Sequence, residues 1–196
     1  MSQNQDMHQN TEAKSSLSNR RKFLVKASAG TLVASIPAKP LWATEFTNSI
    51  QASGGPSGFG GNAVVVTKSS AQWVALAEGL DSHVLHLTFD SIFGGAPWKR
   101  ADKSRVYSGS LTVLEVLTTK KTNGNYKYHG PSSINLNMLS LWLNAKYHND
   151  SRYGINYPVV GPTAHFKDLH SFGQRVYQIS VDNALSTYSA QLTSMM

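Results

Sequence analysis

From Ser133 onward Ile134, Met138, Leu141 and Ala145 recur at i, i+4, i+7 and i+11. Leu139, Trp142 and Leu143 extend that apolar stripe over most of a helix circumference. A helix apolar on most sides must be packed on most sides, so the pattern predicts a central helix from Ser133 to Tyr147. Trp142 is then a core side chain rather than a sugar platform. Tyr157-Pro158 imposes an extended exit, because the proline ring disfavours helical backbone at the residue before it. Beyond it, Thr163 is predicted to cap a helix carrying Phe166, Leu169 and Phe172, with Asp168 in its early part. Gly173 reads as an interruption, after which Val176 and Ile179 continue the stripe. Ala184, Leu185, Tyr188 and Leu192 predict a last amphipathic helix.

Upstream the periodicity is weaker. Val64 to Thr67 is β-like, and Ser69 with Gln72 three residues on makes a capping box that should open a helix. Trp73, Ala77 and Leu80 follow at helical spacing, and Gly79 marks the expected end. The run from Val84 to Phe89 fits strand or helix. Only as a helix would His83 and His86 share a face, and the preferred reading makes them surface or partly buried imidazoles. Ser110 to Leu117 is also open. Its β-branched residues and the following Asn123-Gly124 suit a hairpin leading to Tyr126 and Tyr128, whereas Leu111, Leu114 and Leu117 form a helical stripe towards which the periodicity leans. The fold expected for residues 63–196 is therefore mainly α, a small single-domain helical globule with a possible short β element.

The absence of cysteine removes disulfides, iron–sulfur ligation and thiolate zinc sites from consideration, so packing must hold the domain together. A domain of this size can bury roughly two-thirds of its unfolded surface, enough for one core.

The N-terminal pattern is different. Ser18-Asn19-Arg20-Arg21-Lys22-Phe23-Leu24-Val25-Lys26 is followed by a mildly apolar run, Ala27 to Ile36, and then by Pro37, Lys39 and Leu41-Trp42-Ala43. Charged segment, short apolar run and small-residue site come in the order of a secretory leader. The apolar run falls short of the roughly 20 residues a membrane span requires. The paired arginines with Phe23 and Leu24 resemble the twin-arginine translocation signal. That resemblance implies recognition by the twin-arginine export machinery, cleavage after Ala38 or Ala43, and a periplasmic or secreted mature protein without a stable transmembrane segment. Residues 1–43 are thus expected to be the signal peptide. Residues 44–62, centred on Gly54-Gly55-Pro56-Ser57-Gly58-Phe59-Gly60-Gly61, are expected to be a flexible linker. The glycine spacing at Gly58, Gly60 and Ala63 matches a dinucleotide fingerprint, but no strand precedes it and valines follow where a helix should begin.

Removing the leader changes what the charge implies. The chain has 18 Lys and Arg against 11 Asp and Glu. Residues 1–43 hold six of those cations and two of the anions, leaving twelve against nine. So weak and scattered an excess does not suggest a nucleic-acid partner. Trp98-Lys99-Arg100 and Lys120-Lys121 read as solvated loop and helix-end charges.

A second resemblance runs from Ser110 to about Leu192. Ser110-Leu111-Thr112-Val113-Leu114-Glu115-Val116-Leu117, a Gly- and Asn-containing loop, Leu141-Trp142-Leu143-Asn144-Ala145 and Tyr157-Pro158 follow the order seen in an uncharacterised helical module of secreted bacterial surface proteins, which this stretch resembles. The resemblance implies a small helical unit and carries no catalytic residues with it.

Candidate chemistry is sparse. The chain has no Gly-x-Ser-x-Gly elbow, phosphate loop or His-Glu-x-x-His. A carboxylate-pair hydrolase would have to rely on Asp81, Asp90, Asp150 or Asp168. The densest polar stretch holds Tyr147, His148, Asn149, Asp150 and Arg152, with His165, Asp168 and His170 further on. If the two flanking helices packed antiparallel, His148 and His165 would meet, and the group of His148, Asp150, His165, Asp168 and His170 could hold a metal through nitrogen and carboxylate ligands. The favoured alternative is a hydrated inter-helix loop whose groups satisfy one another. No cofactor is expected. Three functions follow: an exported non-catalytic interaction module, a small accessory subunit travelling with an exported redox enzyme, or a metal-dependent or carboxylate hydrolase.

Overall fold

A computed structural model of the chain describes residues 65–162 and 164–196. The arginine-pair motif with Phe23 and Leu24, the glycine-rich linker and the capping role expected of Thr163 all lie outside the described residues. Within them the fold is mainly α. Seven α-helices are described: α1 (Ser70–Ala75), α2 (Ser82–Leu85), α3 (Phe89–Phe93), α4 (Val113–Thr118), α5 (Ile134–Lys146), α6 (Leu169–Asp182) and α7 (Leu185–Ser194). Extended segments among the described residues meet only in isolated pairs of residues. No helix there is long and apolar enough to cross a membrane.

The core is built around α5, as its periodicity predicts. Every residue from Ile134 to Ala145 is buried, Trp142 included. Four of them are polar, Asn135, Asn137, Ser140 and Asn144, so the helix meets protein on every side. Helices α1, α4, α6 and α7 all pack against it. Each fully buried Leu, Ile or Met on α5 contributes about 1.5 to 3 kcal/mol of hydrophobic stabilisation.

The asparagines explain how loops attach to so apolar a helix. A carboxamide presents one donor group and one acceptor, much as a peptide unit does. Asn144 accepts from the Lys68 N–H at 2.8 Å and donates to the Lys68 carbonyl at 2.9 Å, and it also accepts from the Trp73 indole at 3.3 Å. Asn137 accepts from the Ser70 hydroxyl and donates to the Ser189 and Thr193 hydroxyls, linking α1 to α7. Asn135 accepts from the Trp98 N–H at 2.8 Å and donates to the carbonyls of Trp98 (2.8 Å) and Tyr128 (2.9 Å).

The capping box at Ser69 and Gln72 forms as read, although the α-helix it opens ends at Ala75 and continues as a 3-10 turn to Gly79. The ambiguity at Ser110–Leu117 resolves in favour of helix. Thr112 caps α4, with Glu115 completing a second capping box. The hairpin read at Asn123-Gly124 forms too, immediately after it: Lys120 pairs with Tyr126, and Gly124 turns the chain at φ 79°. The alternative strand at Ser110–Leu117 does not form; the turn at Asn123-Gly124 is flanked instead by Thr119–Lys121, which meets Asn125–Lys127.

Two expectations about the C-terminal region need correction. Helix α6 begins at Leu169, with the Asp168 carboxylate accepting from the Ser171 N–H at 2.7 Å, so Phe166 and His165 precede it. Gly173 does not interrupt it. A Cβ there would lie 2.3 Å from the Ile92 carbonyl oxygen, so glycine lets α3 and α6 meet backbone to backbone.

Candidate functional site

The polar stretch after α5 folds into a closed corner. Tyr147 is buried at the helix end, and the chain turns back through Asn149, whose φ is 62°. The Asp150 carbonyl accepts from the Tyr153 and Gly154 N–H groups. The fork of Arg152 reaches two carboxylates. Its terminal nitrogens donate to Asp81 at 2.8 and 3.1 Å, and to Asp150 at 2.8 Å. The guanidinium also lies over the rings of Tyr147 and Tyr153, at 5.9 and 5.2 Å. Beneath it Trp73 stacks with Tyr147 at 5.7 Å, and the Tyr147 hydroxyl donates to Asp81.

The electrostatics of the corner follow from that geometry. Hydrogen bonds from Arg152 hold both Asp81 and Asp150 below the usual carboxylate range. Burial, followed by the nearby Asp81 charge, pushes the Tyr147 hydroxyl up. Asp168, bonded to Ser171, is also lowered. A glycoside-type hydrolase needs one carboxyl held protonated near neutral pH. Asp81, Asp150 and Asp168 are all shifted the other way, and each is engaged in a structural bond.

The five residues read as a possible polar site do not form one. His148 is half-buried, its Nδ1 accepting from the Tyr157 N–H at 3.1 Å and its Nε2 facing the Asn149 amide. Asp150 belongs to the Arg152 corner. His165 is exposed, edge-on to Phe166, and Asp168 caps α6. His170 is exposed in the first turn of that helix. No three His, Asp or Glu side chains among the described residues converge closely enough to hold a metal ion. The meeting of His148 with His165 required a helix already running at His165, and the cap at Asp168 starts it later. Asp81 is the member of the corner that the sequence did not group with Asp150. Its separation along the chain hides it, and only the fork geometry of Arg152 shows the link.

A second cluster appears where the sequence suggested scattered charges. The segment 98–129 forms two short hairpins. In the first, Trp98 pairs with Val106, and the Lys99 N–H donates to the Arg105 carbonyl at 3.0 Å. In the second, Lys120 pairs with Tyr126. The Tyr107 hydroxyl donates to the Lys127 carbonyl at 2.8 Å, and the Tyr107 ring meets Tyr128 edge-on at 5.2 Å, so the hairpins lie side by side. Asn135 bonds to both of them from beneath.

Lysines stand over the rings of this face. Lys99 is 5.5 Å from the Tyr107 ring centre, Lys127 is 4.9 Å from Tyr128 and Lys120 is 5.3 Å from Tyr126. Exposed cation–π contacts contribute about 0.5 to 1 kcal/mol each, enough to bias where a lysine rests. Tyr126 stacks on His129 at 4.2 Å, and burial lowers the His129 imidazole to about 4. Its Nε2 is buried without a hydrogen-bond partner.

The excess of positive charge lies on one segment of the described chain. Seven cations, Lys99, Arg100, Lys103, Arg105, Lys120, Lys121 and Lys127, lie on this segment against Asp102 and Glu115. The remaining described residues hold five cations against six carboxylates. None of the seven forms an ion pair with a described carboxylate. Compared with protein-family models, curated proteins and solved structures, the chain matches none of them.

Proposed function

We propose that the chain is an exported, non-catalytic interaction module that meets its partner through the two-hairpin face. The observation that carries this reading is the concentration of positive charge on the 98–129 segment, where three lysines rest over tyrosine rings and, among the described residues, no carboxylate pairs a cation. Like charges held close on one segment repel one another, and a partner of opposite charge would relieve that repulsion. Of the carboxylates weighed for hydrolysis, by contrast, Asp81 and Asp150 are engaged in the Arg152 corner, Asp168 caps α6, and Asp90 accepts from the Thr88 hydroxyl. The arginine pair and the apolar run after it support the export half of the proposal.

The two halves are tested separately. Replacing Arg20 and Arg21 by lysine should leave uncleaved precursor in the cytoplasm, and unchanged export would remove the localisation. Changing Lys99, Lys120 and Lys127 together to glutamate should shift the exported protein from the washed cell envelope into the soluble exported fraction. An unchanged distribution would remove this face from the function.

A further inference from the structure

Resting on that reading of an exported binding module, we infer that the two-hairpin face takes an acidic polysaccharide, a linear polymer of carboxylate-bearing sugars. Three features of the face lead there.

The first is unrelieved repulsion. Lys99 stands opposite Arg105 across the first hairpin, next to the Trp98–Val106 pair, so both side chains project from the same side. Like charges directly opposite one another destabilise a strand pair. Both residues are exposed, and neither meets a carboxylate among the described residues. A polymer of negative charge laid across the hairpin would relieve this repulsion.

The second is extent. The contacts of Lys99 with Tyr107, Tyr107 with Tyr128, and Lys127 with Tyr128 make the two hairpins one continuous surface. Lys120 rests on Tyr126 in the second hairpin. Cations spread over two hairpins suit a chain with repeating charges better than a single small anion.

The third is how the rings are used. The rings of Tyr107, Tyr126 and Tyr128 each carry a lysine, Tyr126 is also stacked on His129, and Tyr128 meets the edge of Tyr107. Single-stranded nucleic acid is held by bases stacking on open aromatic platforms. Here the rings seat cations instead, so recognition is by charge at the edge of the polymer. Outside the cytoplasm, polymers of that kind are acidic glycans.

The probe is polygalacturonate, with neutral dextran, an oligo-deoxythymidine and vesicles containing phosphatidylglycerol as competitors, titrated against the purified full chain. Polygalacturonate should bind, weaken steeply as salt rises, and outcompete the other three. Lys99→Glu places a carboxylate opposite Arg105. It should raise the melting temperature slightly while weakening polygalacturonate binding on the order of tenfold. Lys167→Glu, an exposed change outside the segment, should leave binding unchanged. Binding equal to that of dextran would overturn the inference, as would preference for the oligonucleotide or the vesicles. So would equal weakening by Lys167→Glu, because net charge alone would then be read. These outcomes are distinct from failure of the module reading, since envelope retention can depend on the face whatever polygalacturonate does.

Discussion

The Arg152 corner and the two-hairpin face use the same elementary contact, a cation resting on tyrosine rings, and differ in what completes it. Arg152 lies over Tyr147 and Tyr153 and is also gripped by Asp81 and Asp150. Its five N–H groups are largely committed, although the side chain is 53% exposed. The lysines over Tyr107, Tyr126 and Tyr128 have no such carboxylates among the described residues. One arrangement closes a loop onto the domain, and the other leaves a charge available. A cation beside an aromatic ring is thus no sign of a binding site until its counter-charges have been traced.

The largest separation of the two regions should come from Asn135, which serves only the hairpins. Asn135→Asp replaces its two-hydrogen donor with an acceptor facing the carbonyls of Trp98 and Tyr128. Leaving these buried groups unpaired costs about 1 to 3 kcal/mol apiece, so a loss of about 3 kcal/mol or more is expected in urea unfolding. Hydrogen exchange should show the Trp98 amide losing protection while the Lys68 amide, held by Asn144, keeps it. Equal loss at both would mean that the hairpins and the entry strand are one cooperative unit.

Arg152→Met should break the opposite side with a smaller effect. The methionine preserves some contact with Tyr147 and Tyr153 but releases Asp81 and Asp150. Faster exchange is expected at the amides of Tyr153 and Gly154, with little change in the global midpoint, because exposed ion pairs contribute little. The carboxylate pKa values of Asp81 and Asp150, followed by NMR, should rise towards the ordinary range. If polygalacturonate binding fell as well, the two regions would not be independent.

The smallest effect is a pH dependence. Folded, His129 takes a proton only near pH 4, whereas unfolded it takes one near 6.5. The unfolded chain therefore binds more protons between those values. The stability His129 contributes is complete above about pH 6.5 and is lost as the pH falls to about 4. His148, lowered by burial, acts in the same direction, while Asp81, Asp150 and Asp168 lose theirs only below the ordinary aspartate range. Between pH 7 and 5 the loss from His129 should be at most about 2 kcal/mol, reduced by solvent screening of the half-buried ring, and His129→Gln should flatten that slope. An unchanged slope would assign it to His148.

What the sequence made legible was local. Period and capping chemistry placed α5 and the Ser69 cap, and for Val113–Thr118 the apolar spacing outweighed β propensity. Where a residue's meaning depends on a distant partner, the pattern was silent or misled. Gly173 reads as a helix breaker because glycine is a poor helix former, yet it is kept for the Ile92 carbonyl it admits. Lys99 and Lys127 look unrelated until Tyr107 joins their hairpins. The asparagines of α5 look like polar gaps in an apolar run, and nothing local announces that Asn135 and Asn144 complete backbones far away in the chain while Asn137 ties hydroxyls of α1 and α7 together.

One of those asparagines also sets how the domain would bear load. The chain enters the described fold at Val66, which exchanges two backbone hydrogen bonds with Asn156, and two residues later Lys68 is gripped on both its peptide groups by Asn144. A pull transmitted along the preceding polypeptide would load the Asn156 attachment and, two residues on, the Asn144 one. The second is fixed to the most deeply buried helix, so tension on the N-terminal side would be passed through Asn144 into the core.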